Sequence, residues 1–303
     1  MISTDKITEI YVIIDDFRKE FATVLEGHVL NQESGLKRRN KPSKLSDSEV
    51  MTILIAFHLS GFRNLKHYYL HYVCKHLNQE FPRTVSYNRF VELQQKVIMP
   101  LVIFLKTKAL GQCTGISFID STPVRACHIK REARHKTLKG FAKKGHSSMG
   151  WFFGFKLHLI INDKGEILDF MLTPANVDDR EPLKQSDFHK RIFGKLFGDK
   201  GYISSDLFAQ LFVDGVHLVT KLRKNMKNSL MLMQDKIALK KRALIETVND
   251  ELKNICQLEH TRHRSFNNFL SNLIAALTAY CFLPKKPSIN LNNQNNQGFL
   301  VLA

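Results

Sequence analysis

The chain has 303 residues, 44% of them hydrophobic and 24% charged, enough for about two domains and a buried core. That balance excludes wholesale disorder, a collagen-like repeat and a coiled-coil rod. Forty-five Lys and Arg against 28 Asp and Glu leave a formal charge of +17, which repels itself unless a polyanion neutralises it, so nucleic acid is the first partner to expect.

A membrane reading fails because the longest apolar stretches, Ile53 to Leu59 and Leu273 to Leu283, fall short of the ~20 consecutive residues a spanning helix needs. Asp5, Glu9, Asp15 and Asp16 near the start leave no signal-peptide pattern. Five irregularly spaced cysteines point to reduced thiols in the cytoplasm. Neither a Gly-x4-Gly-Lys-Ser loop nor a Gly-x-Gly-x-x-Gly fingerprint is present, which removes nucleotide-driven and nicotinamide chemistry.

Ile10, Ile13, Ile14, Phe17, Phe21, Val24 and Leu25 recur at helical period, so an amphipathic helix opens the chain, with Asp15 and Asp16 as solvated charges. Ser34 to Lys44 combines Gly35, Pro42 and five cations and reads as a basic linker. Ser46 and Glu49 have capping-box spacing ahead of Val50, Ile53, Leu54 and Phe57, which predicts a helix ending at Gly61. Helices over about Leu65 to Leu77 and from Ser86 follow. With Arg83, Asn88, Arg89 and Gln94 near the second, the pair fits a helix-turn-helix reader or a plain helical bundle, and spacing alone does not choose.

From Gly115 the pattern changes to strands. Ile116, Phe118 and Ile119 form a short run ending at Asp120, with Pro123 expected to stop it. Trp151 to Ile161 and Ile167 to Leu172 are joined by Asn162-Asp163-Lys164-Gly165, a hairpin composition. Asp178 and Asp179, before Arg180-Glu181-Pro182, read as helix-capping acids. A strand from Lys195 ends at Asp199, a helix covers Ser204 to Phe212, a last strand Val216 to Lys221, and one long helix Lys236 to Cys256. Leu270, Leu273, Ile274, Leu277 and Tyr280 mark a closing core helix. The order predicts an α/β fold: an α-helical region over 1–110, a mixed sheet flanked by helices over 111–285, and a polar Asn- and Gln-rich tail over 286–303, dispensable and disordered.

Asp120 and Asp199 each end a short apolar strand, where a side chain is presented from fixed backbone. A third acid, Glu246, lies four residues after Arg242 and seven before Lys253, so all three share one helical face. Carboxylates are the hard ligands Mg²⁺ prefers, and three suit two ions. Ions roughly 3.5–4 Å apart activate a water or a 3′-hydroxyl and stabilise the leaving oxygen of an in-line attack on phosphorus. Between Arg125 and Lys156 nine cations face one acid, Glu132. This segment, with Lys130, Arg131, Lys136, Lys139, Lys143 and Lys144, reads as a flexible loop that grips phosphates.

Phe118 to Pro123, Trp151 to Leu159, Ala175 to Arg180, Gly198 to Tyr202, and Arg242 with Glu246 and Lys253 together resemble the DDE transposases of bacterial insertion sequences, most closely the insertion-sequence 982 type, over nearly the whole chain. Leu239 stands where related families carry the tyrosine of Tyr-x2-Arg-x3-Glu-x6-Lys. The resemblance implies an RNase H-like catalytic domain in which Asp120, Asp199 and Glu246 bind two Mg²⁺ ions, replaceable by Mn²⁺, and cut and rejoin double-stranded DNA ends in a homodimer. Arg242 and Lys253 would contact phosphates. Arg89 and Arg264, the latter with Arg262 and His263, would add to the DNA surface. The rival readings are an RNase H-like endonuclease that does not join, and a DNA-binding repressor with an inactive nuclease domain. Cys256, His260 and His263 lack the paired spacing of a zinc site and read as ordinary polar residues. His128, His146 and His158 stay unassigned.

Overall fold

A computed structural model describes residues 2–26, 43–147, 150–185, 187–222, 226, 230–259 and 263–290, and the backbone of 300–302. Most of the expected basic linker, residues 260–262 and the tail over 291–299 lie outside the described residues. The chain divides into two compact units, Met1–Ala109 with Leu252–Phe282, and Leu110–Glu251 with Leu283–Ala303. Among the described residues no helix is long and apolar enough to cross a membrane, and no disulfide joins the cysteines.

The first unit is helical. Helix α1 (Thr4–Glu26) buries Ile7, Ile10, Ile14 and Phe17. Helix α2 (Asp47–Leu59) is buried nearly all round and is the axis of the unit. Its predicted capping box is formed: Ser46 Oγ accepts from Glu49 N at 3.1 Å, and Ser46 N donates to Glu49 Oε2 at 2.6 Å. Gly61, at φ +80°, ends it where a side chain would be strained. The stretch α3 (Leu65–His67) to α4 (Cys74–His76) is one helical run whose middle, Tyr68–Val73, widens into a π-helix. Helices α5 (Tyr87–Lys96) and α6 (Ile98–Phe104) follow. The expected closing helix, Phe266–Cys281, packs against α2, α5 and α6 and so completes this helical unit.

The second unit is a mixed α/β assembly around a curled sheet. Its strands are β1 (Ile116–Cys127), β2 (Lys143–Ser147), β3 (Gly150–Asn162), β4 (Ile167–Pro174), β5 (Gly194–Gly198) and β6 (Val216–Thr220). They run β2-β3-β1-β5-β6, with β4 also on β3; β1, β5 and β6 are parallel and the other pairings antiparallel. The β3–β4 hairpin turns as predicted, with Gly165 at φ +71° donating its N–H to Asn162 O at 3.1 Å. Helices α7 (Glu181–Lys184) and α8 (Ser205–Val213) supply Leu183, Leu207 and Leu211 to a core that also holds Ile119, Ile160, Leu196 and Tyr202.

Three expectations are corrected here. Pro123 does not stop β1. Strand β5 pairs with β1 only over residues 116–118, so beyond them one edge of β1 is unpaired and a residue without an N–H is tolerated. The basic segment after β1 is not a flexible loop: Ile129–Arg134 is a 3₁₀ turn, and Lys143–Ser147 is β2, laddered on β3. The single long helix is two, α9 (Met233–Lys240) and α10 (Ala243–Asn254), broken at Lys241 and Arg242. A small ribbon of β7 (Leu230–Leu232) with β8 (Leu300–Leu302) was not foreseen.

His58, buried on α2, donates its Nδ1–H to the Cys256 carbonyl at 2.6 Å. Burial pushes its pKa from the ordinary 6.5 down to about 4. The unfolded chain therefore takes the proton first, and the stability held by the neutral ring is lost as pH falls from 6.5 towards 4. Replacing His58 with Ala leaves a buried carbonyl unpaired. It should cost on the order of 2–3 kcal/mol at pH 7.5 and flatten the acid limb of stability by one proton, about 1.4 kcal/mol per pH unit; thermal melts from pH 4 to 8 read both.

Candidate active site

The register of the parallel strands builds the site. Phe118 on β1 is paired with Phe197 on β5, and their rings lie 5.6 Å apart. Asp120 lies two residues beyond this last pair on β1, and Asp199 lies one residue past the end of β5, near enough for its charge to raise the pKa of Asp120. Lys195 of β5 binds Asp235 of α9 at 2.6 Å, which places α9 beside that strand. Asp199 closes its own turn: its Oδ1 accepts from Gly201 N at 2.7 Å, and a side chain on Gly201 would crowd that oxygen.

Helix α10 brings the third acid. Leu244, Ile245 and Val248 are buried and seat the helix, leaving Glu246 outward in its first turn, where the helix N-terminus favours negative charge. Arg242, at the break, sits between two acids: Nη1 is 3.7 Å from Asp120 Oδ1, and Nη2 is 3.2 Å from Glu246 Oε1. Asn249, three residues after Glu246, donates to Asp120 Oδ2 at 3.4 Å. The sequence reading passed over this residue; its signal was the spacing 242, 246, 249 along one face.

Asp120 is the perturbed acid. Its side chain is 23% exposed, against 60% for Glu246. Burial pushes its pKa from 3.8 up to about 6; Arg242 and the Ser121 N–H oppose this, while Asp199 and Glu246 add to it. Tyr202 lies under the same group, its hydroxyl buried without a partner and its pKa raised by burial and by Asp120, Asp179 and Asp199. Asn249 Oδ1 and Arg242 Nη1 are likewise buried and unbonded. Among the described residues, however, no three His, Cys, Asp or Glu side chains are arranged to hold a metal ion. Arg242 stands between the carboxylates instead.

The segment 175–180 is tied to the sheet by Lys156, which donates to Val177 O and Asp179 Oδ1, both at 2.9 Å. Neither acid caps α7 as expected. Arg180 holds the cap position, Asp178 binds the Arg180 backbone and guanidinium, and Asp179 pairs with Lys156. His158 is buried, bonded through Nε2 to Thr173 Oγ1 at 2.8 Å, and burial lowers its pKa.

The expected phosphate-gripping cations divide by position. Lys130, Arg131, Lys136, Lys139, Lys143 and Lys144 are all exposed in the second unit. Lys253, near the end of α10 and assigned to the first unit, faces Glu259 at 3.7 Å. Arg89 in the first unit is exposed but pairs with Glu92 at 2.6 Å. Arg264 lines a cleft of about 680 Å³ in that unit, with Arg63, Lys66, Tyr87, Asn88 and Gln94.

The raised pKa of Asp120 has a consequence for stability. The folded chain keeps this proton up to about pH 6 and the unfolded chain loses it near 3.8, so the ionised carboxylate opposes folding above that window. Asp120→Asn should therefore raise stability at pH 7.5 in EDTA by about 1 kcal/mol, whereas Asp199→Asn, at an exposed position, should leave it nearly unchanged. Denaturant titration of both variants separates the outcomes.

No match is found among curated proteins. The family described as transposase DDE domain matches residues 110–266, more than half of the chain and the whole of the stretch that carries Asp120, Asp199, Arg242 and Glu246. The chain belongs to the transposase DDE domain family.

Proposed function

We propose that this transposase cuts and rejoins the DNA ends of a bacterial insertion sequence of the 982 type, in a reaction dependent on Mg²⁺ or Mn²⁺, using Asp120, Asp199 and Glu246 on an RNase H-like sheet. The observation that supports the reading is the setting of Asp120: the charges of Asp199 and Glu246 both act on it, and Arg242 and Asn249 contact it. Acids that raise one another's pKa favour a site of positive charge, which Arg242 supplies here for Asp120 and Glu246.

The donors suit a divalent cation. All three are hard oxygen ligands, and the unbonded Asn249 Oδ1 and Arg242 Nη1 are polar atoms that an occupied, hydrated site would satisfy. Bound there, the cation supplies Lewis-acid activation of a water or 3′-hydroxyl and stabilisation of the leaving oxygen. Asp120, Asp199 and Glu246 would hold it. Arg242 pairs with Asp120 and Glu246 and, with that charge taken up by a cation, would be available to a substrate phosphate. Asn249 keeps Asp120 oriented, and the exposed lysines of the 130–144 segment hold the backbone of the duplex without reading its sequence. A homodimer would present two such sites to the two element ends.

Cleavage of a labelled duplex carrying the terminal sequence, with Mg²⁺ or EDTA, tests the assignment. Asp120→Asn, Asp199→Asn and Glu246→Gln should each lower Mg²⁺-dependent cutting about a thousandfold or more while affinity for the duplex changes little. Wild-type cutting by any one of them overturns it. Cutting without joining leaves an endonuclease; binding without cutting by the wild type leaves a repressor-like protein. Lys136→Gln and Lys139→Gln should each reduce the slope of log affinity against log salt by about 0.9, measured by anisotropy.

A further inference from the structure

Trp151 is the only tryptophan in the chain, and it is 59% exposed. An indole left in water among charged residues is not explained by packing. It stands at the start of β3 opposite His146 of β2, with ring centroids 5.1 Å apart, edge to face. Lys144 Nζ lies 4.7 Å from the centre of the indole, over its ring. Lys144 is paired with Phe153, so alternation puts Lys144, His146, Trp151 and Phe153 on one face of the hairpin. Gly145 and Phe152, on the other face, are buried, and Phe153 is buried as well, so Lys144, His146 and Trp151 are the exposed part of the first face. His135 meets the edge of the Phe153 ring at 5.9 Å, which brings the preceding 3₁₀ turn, with exposed Lys130, Arg131 and Arg134, to the border of the same face.

We infer that this face is a stacking platform for an unpaired base of a DNA strand, with Lys144 and the bordering cations holding the phosphates on either side. The inference rests on the DNA reading given above. Lysines alone suffice to grip a duplex, whose bases are stacked inside and whose phosphates are outside. An exposed indole adds nothing to that grip. It becomes useful where a base presents its π-face, which unpaired strands do and duplex interiors do not. The platform is also within reach of the acids. Asp120 is paired with Leu159, and Trp151 lies eight residues before Leu159 on the same strand. That run spans at most roughly 26 Å, about eight nucleotide steps along a DNA strand. A strand whose backbone passes the carboxylates can lay a frayed or extruded base on Trp151.

A single tryptophan makes the test direct, since all indole fluorescence comes from this site. The whole chain, in EDTA, is titrated with a blunt duplex, with the same duplex carrying an unpaired tail of about eight nucleotides, and with one whose tail is abasic. The tailed duplex should quench the emission and bind about tenfold tighter than the other two. Trp151→Ala, checked by circular dichroism, should bring the tailed duplex to within about twofold of the blunt one, and Trp151→Phe should keep part of the preference. Equal quenching by the abasic tail overturns the inference, because a contact with sugar and phosphate then accounts for it. Salt-sensitive binding of the blunt duplex with no tail preference and no quenching overturns the platform while leaving the transposase reading intact. No binding to any of the three overturns both.

Discussion

The parallel pairing of β1 with β5, locked by Phe118 against Phe197, brings two carboxylates, Asp120 and Asp199, to the end of one ladder. The ladder is short, but Phe118, Ile119, Leu196 and Phe197 along it are fully buried, so the ladder and the core fix its register. A slip of one residue would turn Asp120 into the core and bring Ile119 out. Because Ile119 is fully buried against the α7 and α8 side, that slip is opposed by the whole hydrophobic cluster. The backbone beneath the acids is thus held by apolar packing, while Asn249 and the Gly201 N–H orient the carboxylates themselves.

What the packing enforces, electrostatics resists. Asp120 is partly buried within the influence of two other acids, and Arg242 is the group that offsets their charge. The break between α9 and α10 is what permits it. At the start of α10 the arginine is one turn ahead of Glu246 and can reach both that acid and Asp120. In an unbroken helix the same residue would be held to one radial direction. The arrangement is a charge-compensated resting state, and a less stable one than an Asn at position 120 would give.

Much of this was legible in the sequence, for physical reasons that can be named. Asp120 and Asp199 stood out because each follows a short apolar run, although Asp120 proves to lie within β1, which continues to Cys127, and only Asp199 follows a strand end; the capping box at Ser46 is a local rule satisfied locally. The misreadings all came from longer-range context. Pro123 looked like a terminator because sequence cannot show that β5 leaves β1 after residue 118. Lys143 and Lys144 looked like loop because charge lowers strand propensity, whereas here an edge strand places them in water. Asn249 was invisible because an asparagine on a helix is unremarkable until the carboxylate opposite it is known. Trp151 was noted as part of a strand, but its exposure is a property of the folded hairpin.

Strand β3 changes partner on one side midway: β2 lies along residues 150–154 and β4 takes over from Phe155. At the junction a side chain on Gly145 would collide with Ala175, so the two edge strands meet end to end with no room to spare. This seam divides the sheet into a body, which carries the acids, and a three-stranded cantilever made of β2 and the far parts of β1 and β3. A cantilever anchored on two continuous strands can be lengthened, shortened or re-decorated at its tip without altering the register at its root. Substitutions in β2 can therefore change what the tip of the sheet contacts while the carboxylates at its root keep their places.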